Sequence, residues 1–210
     1  MNRFLSLALA ALLLAPCVSA ADLPASAAPS GPETAAASAV LMEKESGAVL
    51  YEKDARQKLE PASVTKVMTL LLTMEAIDAG QLHYDDVVTA SAHACSMGGS
   101  QIWLKENEQM TVSDMLKAVC VVSANDCAVA LAETVAGSEE AFVALMNRKA
   151  GELGMKHTHF ANCTGLTSPE PYSSAADLAV LLQAALNNET FRTVFTTGQY
   201  TSSVTAQHPK

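Results

Sequence analysis

The sequence predicts an α/β (α+β) fold, with an antiparallel sheet packed against a helix-rich body. Three observations lead there. Two short apolar stretches, 39–43 and 48–52, flank Glu45-Ser46-Gly47 and read as an antiparallel hairpin. From Val67 to Met74 the residues are apolar or threonine on every side of a helix, which is the pattern of a buried core helix rather than a surface one. Later stretches repeatedly open on Ser or Thr and close on Gly, the punctuation of successive helices.

In chain order, Asp54 to Glu60 is a polar connection into the core helix, which Pro61 and Ser63 open and Gly80 closes. Val87-Val88-Thr89 is a short strand. His93 to Ser100, containing Met97-Gly98-Gly99-Ser100, reads as a loop that needs close backbone approach. Thr111-Val112-Ser113-Asp114 opens a helix through Val122. Ser123-Ala124-Asn125-Asp126 interrupts it, and helical periodicity resumes from Cys127 to Ala136. Ser138 caps a helix over 139–153 that Gly154 ends. Thr158-His159-Phe160 is a candidate strand, 162–172 a loop, and Ser174 starts a last helix to Leu186. The sequence has no internal repeat.

The chain has 210 residues, 50% of them hydrophobic and 17% charged, which allows one domain with a substantial core. Met1-Asn2-Arg3, the apolar run from Phe4 to Ala15 and Val18-Ser19-Ala20 form a secretory signal peptide over residues 1–20, too short to span a bilayer. A lipoprotein reading of Cys17 fits poorly with Pro16 before it. Residues 21–37, rich in Ala, Pro and Ser, are a flexible leader, and the domain occupies 38–210. The exported chain keeps 12 bases against 22 acids, which argues against a nucleic-acid partner. Cys95, Cys120, Cys127 and Cys163 are compatible with disulfides in an exported protein and equally with buried thiols. With no C-x-x-C pair, structural zinc is not expected.

The chemistry-bearing stretch is Pro61-Ala62-Ser63-Val64-Thr65-Lys66. A lysine three residues after a serine lies one turn on, on the same helix face. Inside a core helix its charge is costly, so desolvation pulls its pKa towards neutrality. A partly deprotonated amine beside a hydroxyl at a helix N-terminus activates a serine without histidine. Against this, a chain of this length contains roughly one such pair by chance, and a buried lysine can snorkel or find an acid. Ser123-Ala124-Asn125 is the second constellation: a hydroxyl to relay a proton and a carboxamide to grip a substrate amide. Its plainer reading is a junction between helices, with Asp126 as the next N-cap.

Taken together, S-x-x-K and S-x-N in this order are two of the three motifs shared by penicillin-binding proteins and class A β-lactamases. With the hairpin at 39–52, Met97-Gly98-Gly99-Ser100-Gln101, His159-Phe160-Ala161-Asn162, Gly165-Leu166 and Tyr172-Ser173-Ser174-Ala175-Ala176-Asp177, residues 38–190 resemble the serine-type D-alanyl-D-alanine carboxypeptidases, the low-molecular-weight penicillin-binding proteins of peptidase family S11. The resemblance implies a penicillin-binding-protein (β-lactamase and transpeptidase-like) fold. It implies Ser63 as nucleophile towards stem peptides ending in D-Ala-D-Ala, Lys66 as its base, Ser123 as proton carrier and Asn125 as the grip on the substrate amide. It implies the Ser63 backbone N–H as half of an oxyanion hole. It further implies acylation by β-lactam antibiotics, a place outside the cytoplasm, and neither cofactor nor metal.

The chain departs from that pattern in one respect. The third motif, K-T-G, is absent; Thr196-Thr197-Gly198 lacks the lysine and falls too early. The expectation is a chain truncated before the C-terminal strands, inactive alone; membrane anchoring is left unassigned. Three competing readings remain. A β-lactamase needs a carboxylate for deacylation, and Glu170 does not stand in the required setting. His157 and His159 form a feasible metal pair on one strand face but lack a third ligand cluster. A cell-wall-binding pseudoenzyme would hold the same peptides without turnover.

Overall fold

In the computed structural model, residues 31–166 and 171–201 are described, and every element below belongs to the body formed by residues 33–210. The signal peptide, Glu170 and the end of the chain beyond Thr201 lie outside the described residues.

The predicted hairpin forms: β1 (Ala39–Met42) pairs antiparallel with β2 (Val49–Lys53), Ala39 opposite Lys53, with an irregularity between Leu41 and Met42. Glu43 organises the turn by accepting from the backbone N–H groups of Glu45 and Ser46. A 3-10 turn, Ala62–Thr65, then leads into α1 (Lys66–Asp78). The all-round apolar pattern has the expected consequence: α1 is buried from Met68 to Met74, with five later helices (Val112–Val122, Asn125–Ala136, Glu139–Glu152, Ala175–Asn187 and Glu189–Phe195) packed around it. Two threonines sit in this core without penalty, because Thr69 Oγ1 donates to Cys163 O at 2.7 Å and Thr73 Oγ1 to Thr69 O at 2.8 Å.

The structure adds elements between α1 and the second motif. The 93–100 segment is not all loop: α2 (Ala92–Cys95) occupies its start, capped by Ser91. β3 (Val87–Thr89) pairs antiparallel with β4 (Gln109–Thr111), a strand whose three-residue length leaves too little periodicity to read. α3 (Val112–Val122) is capped by Thr111, whose side chain accepts from Asp114 N. It buries Val112, Met115, Leu116 and Val119, the i, i+3, i+4, i+7 stripe of a helix lying on a core.

α4 (Asn125–Ala136) starts two residues before the position expected, and it is buried from Asn125 through Ala132. α5 (Glu139–Glu152) has Ser138 as N-cap, and Gly154 follows its end at φ +75°. The Thr158–Phe160 strand does not form; one isolated bridge, His159 to Tyr172, stands in its place. The His157 and His159 pair accordingly lacks a strand face. His157 N donates to Asp177, and the His159 ring tilts against Tyr172. α6 (Ala175–Asn187) is capped by Ser174 and packs on β1, with Gln183 Nε2 reaching Lys44 O. α7 (Glu189–Phe195) follows directly, and Thr196 ends it, so Thr196-Thr197-Gly198 belongs to a helix terminus. Cys95, Cys120, Cys127 and Cys163 are free thiols, Cys127 and Cys163 buried and the other two partly exposed. No helix among the described residues is long and apolar enough to cross a membrane.

Candidate active site

Ser63 lies in the 3-10 turn, and its hydroxyl accepts from the lysine one turn on. Lys66, the first residue of α1, is 3% exposed. Its Nζ donates to Thr164 O at 2.7 Å and stands 3.3 Å from Ser63 Oγ. Burial pulls the Lys66 pKa down to about 8, as the all-apolar helix implies. Both hydrogen-bond partners are uncharged, and the lysine does not snorkel. An amine held by a carbonyl on one side has its lone pair available to a hydroxyl on the other.

Ser123 terminates α3 in the left-handed conformation, φ 59°, ψ 38°. Its Oγ is buried and has no hydrogen-bond partner among the described residues; Asn125 Oδ1 and Thr65 Oγ1 share that state. Buried polar atoms are normally paired, and all three of these belong to the S-x-x-K and S-x-N stretches, where a bound polar group would complete them. Ser63, Lys66 and Ser123 line one cleft of about 560 Å³, whose remaining wall is apolar: Val40, Val67, Leu70, Val119, Leu178 and Phe195 among others.

Asn125 does not line that cleft. It is fixed from the 98–100 loop: Nδ2 donates to Gly98 O and its backbone N to Ser100 O, both at 2.7 Å. A Cβ on Gly99 would fall 2.9 Å from Nδ2, so the close approach expected of Gly98-Gly99 is made against Asn125. Asp126 is not the N-cap that the plainer reading assigned; Ala124 holds that position. The fully buried Asp126 carboxylate accepts from Ile102 N and Leu104 N, at 3.1 and 3.0 Å, and from Cys127 N in the first turn of α4 at 2.9 Å.

Thr164, the acceptor for Lys66, was not legible as a site residue. Its loop is an Asx turn: Asn162 Oδ1 accepts from Thr164 N and Gly165 N. The string Asn162-Cys163-Thr164-Gly165, an Asn with Gly three residues on, carries that signal. Which carbonyl it presents to a lysine 98 positions earlier is a tertiary fact.

Two hydroxyls and a neutralisable amine lining one largely apolar cleft are groups of the kind that serine acyl transfer needs. The chain belongs to the D-alanyl-D-alanine carboxypeptidase family, peptidase family S11, whose model matches residues 25–208. It is 53% identical over 154 residues to D-alanyl-D-alanine carboxypeptidase DacF of Bacillus subtilis, covering 73% of this chain and 40% of that protein. It is similar in structure to penicillin binding protein 6B from Escherichia coli, with a TM-score of 0.79 and 37% identity over 86% of this chain and 59% of that one. It is also similar to carboxypeptidase DacD from Francisella tularensis, with a TM-score of 0.77 and 36% identity over 80% and 41% of the two chains. The chain spans about two fifths of the length of its curated relatives in Bacillus subtilis and Escherichia coli.

Proposed function

We propose that this protein is a serine-type D-alanyl-D-alanine carboxypeptidase that trims the terminal D-alanine from peptidoglycan stem peptides outside the cytoplasm. The observation that carries the reading is the buried Lys66 amine beside Ser63 Oγ, held from behind by Thr164 O. With a pKa of about 8, roughly one Lys66 in ten is neutral at pH 7. That fraction takes the Ser63 proton as Oγ attacks the carbonyl of the penultimate D-alanine.

The negative charge that develops on the carbonyl oxygen falls near the start of the 3-10 turn, where first-turn N–H groups lack intrahelical partners. Collapse of the tetrahedral adduct breaks the peptide bond. The proton passes by way of Ser123 Oγ to the leaving amine, and D-alanine departs. Water then hydrolyses the Ser63 ester and returns the hydroxyl. Asn125 holds the backbone amide of the stem peptide; its unpaired Oδ1 accepts an N–H that the substrate supplies. A β-lactam presents the same acyl group with its leaving group tethered, so it acylates Ser63 and stays.

The test is intact-mass analysis of the natural gene's full product after incubation with benzylpenicillin, beside Ser63→Ala. The expected result is one covalent adduct that disappears in the variant. A folded parent protein that forms no adduct overturns the enzyme reading and leaves a peptide-binding protein.

A further inference from the structure

Behind Lys66, away from the cleft, runs a continuous set of bonds that the catalytic scheme does not use. Thr164 O receives Lys66 Nζ. The preceding residue, Cys163, is held at both ends of its backbone: its carbonyl accepts from Thr69 Oγ1, one turn beyond Lys66 on α1, and its N–H donates to Glu139 Oε1 at 3.0 Å. The other carboxylate oxygen, Glu139 Oε2, is 2.7 Å from His93 Nε2. Glu139 therefore spans from the lysine's acceptor turn to the short helix α2 and couples three segments distant in sequence.

Two features set Glu139 apart from an ordinary surface ion pair, which contributes little. Its side chain is 15% exposed, so its interactions are weakly screened. It also occupies the first position of the 14-residue α5, where backbone N–H groups favour a negative charge. Its pKa is lowered: desolvation pushes it up, and the Cys163 N–H and His93 outweigh that, so the carboxylate is charged across the working range.

We infer that Glu139 is a positioning residue for the Ser63–Lys66 pair: it anchors the Cys163–Thr164 turn whose carbonyl orients the lysine, and His93 grips it from the solvent side. The inference rests on the assignment of Ser63 and Lys66 as nucleophile and base. A carboxylate held by an imidazolium is held more firmly than one held by a neutral imidazole. The groups facing His93 are Glu139 and Glu140 from α5 and Glu133 from α4, all acidic, and the hydrogen bond to Glu139 first among them raises its pKa above 6.5. The grip is complete below pH 6.5 and weakens as pH rises through the raised value, while the supply of neutral Lys66 grows towards pH 8.

The experiment measures benzylpenicillin acylation of the natural gene's full product between pH 5.5 and 9.5. It compares the parent with Glu139→Gln, His93→Ala and His93→Lys, alongside amide hydrogen exchange at Cys163. Glu139→Gln is expected to lower the saturating acylation rate about 10- to 100-fold with little change in the apparent dissociation constant, as misplacement of a base does. Cys163 exchange accelerates in the same variant. His93→Ala slows acylation most at low pH, and His93→Lys, charged throughout, restores it and exceeds the parent at pH 9. Parental rates in Glu139→Gln, a loss confined to affinity, or unchanged Cys163 exchange overturn the inference while leaving the carboxypeptidase reading intact. A parent protein that is never acylated overturns both.

Discussion

Gly165 and Ala62 touch through their backbones: a Cβ on Gly165 would lie 1.8 Å from the Ala62 carbonyl oxygen and 2.4 Å from its carbon. Both residues are at positive φ, +75° and +46°. Glycine takes that conformation freely, whereas alanine there costs about 1–2 kcal/mol. Strain of this kind persists only where the surroundings enforce it. Here the contact seats the turn bearing Ser63 directly against the turn bearing Thr164, so that one lysine reaches both.

Gly165→Ala therefore cannot be absorbed by a flexible neighbour, because the clash is with backbone. The expected result is a loss of about 3 kcal/mol, read as a melting midpoint lower by roughly 6–12 °C. Benzylpenicillin acylation should fall at least about 100-fold as the two turns separate. A variant with parental midpoint and acylation rate would show that the two turns do not need this contact.

Most of the frame could be read from the sequence because its signals are local. Ser138 and Ser174 are N-caps whose side chains accept from the N–H three residues on, and Gly137 and Gly154 take the positive φ that follows a helix. The burial of Lys66 followed from its position in a run without apolar periodicity. What escaped were the non-local facts. Glu139 looks like any first-turn acid until the fold brings Cys163 to it. Asp126 looks like a cap, and only the 102–104 backbone reveals its task. β4 and α7 are short elements whose formation depends on partners already in place.

Lys66→Met should abolish acylation and yet stabilise the protein at neutral pH. In the unfolded chain the lysine titrates near 10.5, and in the folded state near 8. Below pH 8 both states are protonated, and burial of the charge costs the folded state about 3 kcal/mol. Between pH 8 and 10.5 the unfolded chain binds more protons, so parental stability rises with pH; above 10.5 the penalty is gone. Loss of the bond to Thr164 O offsets about 1–2 kcal/mol of the gain. Urea denaturation should find Lys66→Met more stable than the parent at pH 6 and less stable near pH 11. A difference independent of pH would contradict burial of the charge.

Ser123 separates backbone from hydroxyl. Ser123→Gly removes the strain of φ 59° and should raise the melting midpoint by roughly 2–4 °C. Ser123→Ala keeps the strain and deletes an oxygen without a hydrogen-bond partner among the described residues, so its midpoint should stay within about 2 °C of the parent. Both should slow acylation by about 100-fold or more, since proton transfer through the hydroxyl is lost in each. Parental acylation by either variant would remove Ser123 from the proposed proton path.

Trp103 offers a spectroscopic check on the loop that fixes Asn125. It is the single tryptophan of the sequence, at φ 60° and 70% exposed, and its neighbours Ile102 and Leu104 both donate to Asp126. The buried carboxylate thus pins the backbone on either side of an exposed indole. Asp126→Ala leaves three N–H groups, of Ile102, Leu104 and Cys127, without their acceptor and should destabilise by about 2–4 kcal/mol. Once released, residue 103 can leave the left-handed region and relieve its strain, so tryptophan anisotropy should fall well below the melting range. The same loosening reaches Asn125 through Ser100 O and Gly98 O, which predicts weaker substrate binding with the Ser63 chemistry intact. Unchanged anisotropy together with an unchanged melting midpoint would mean that the loop holds its shape without Asp126.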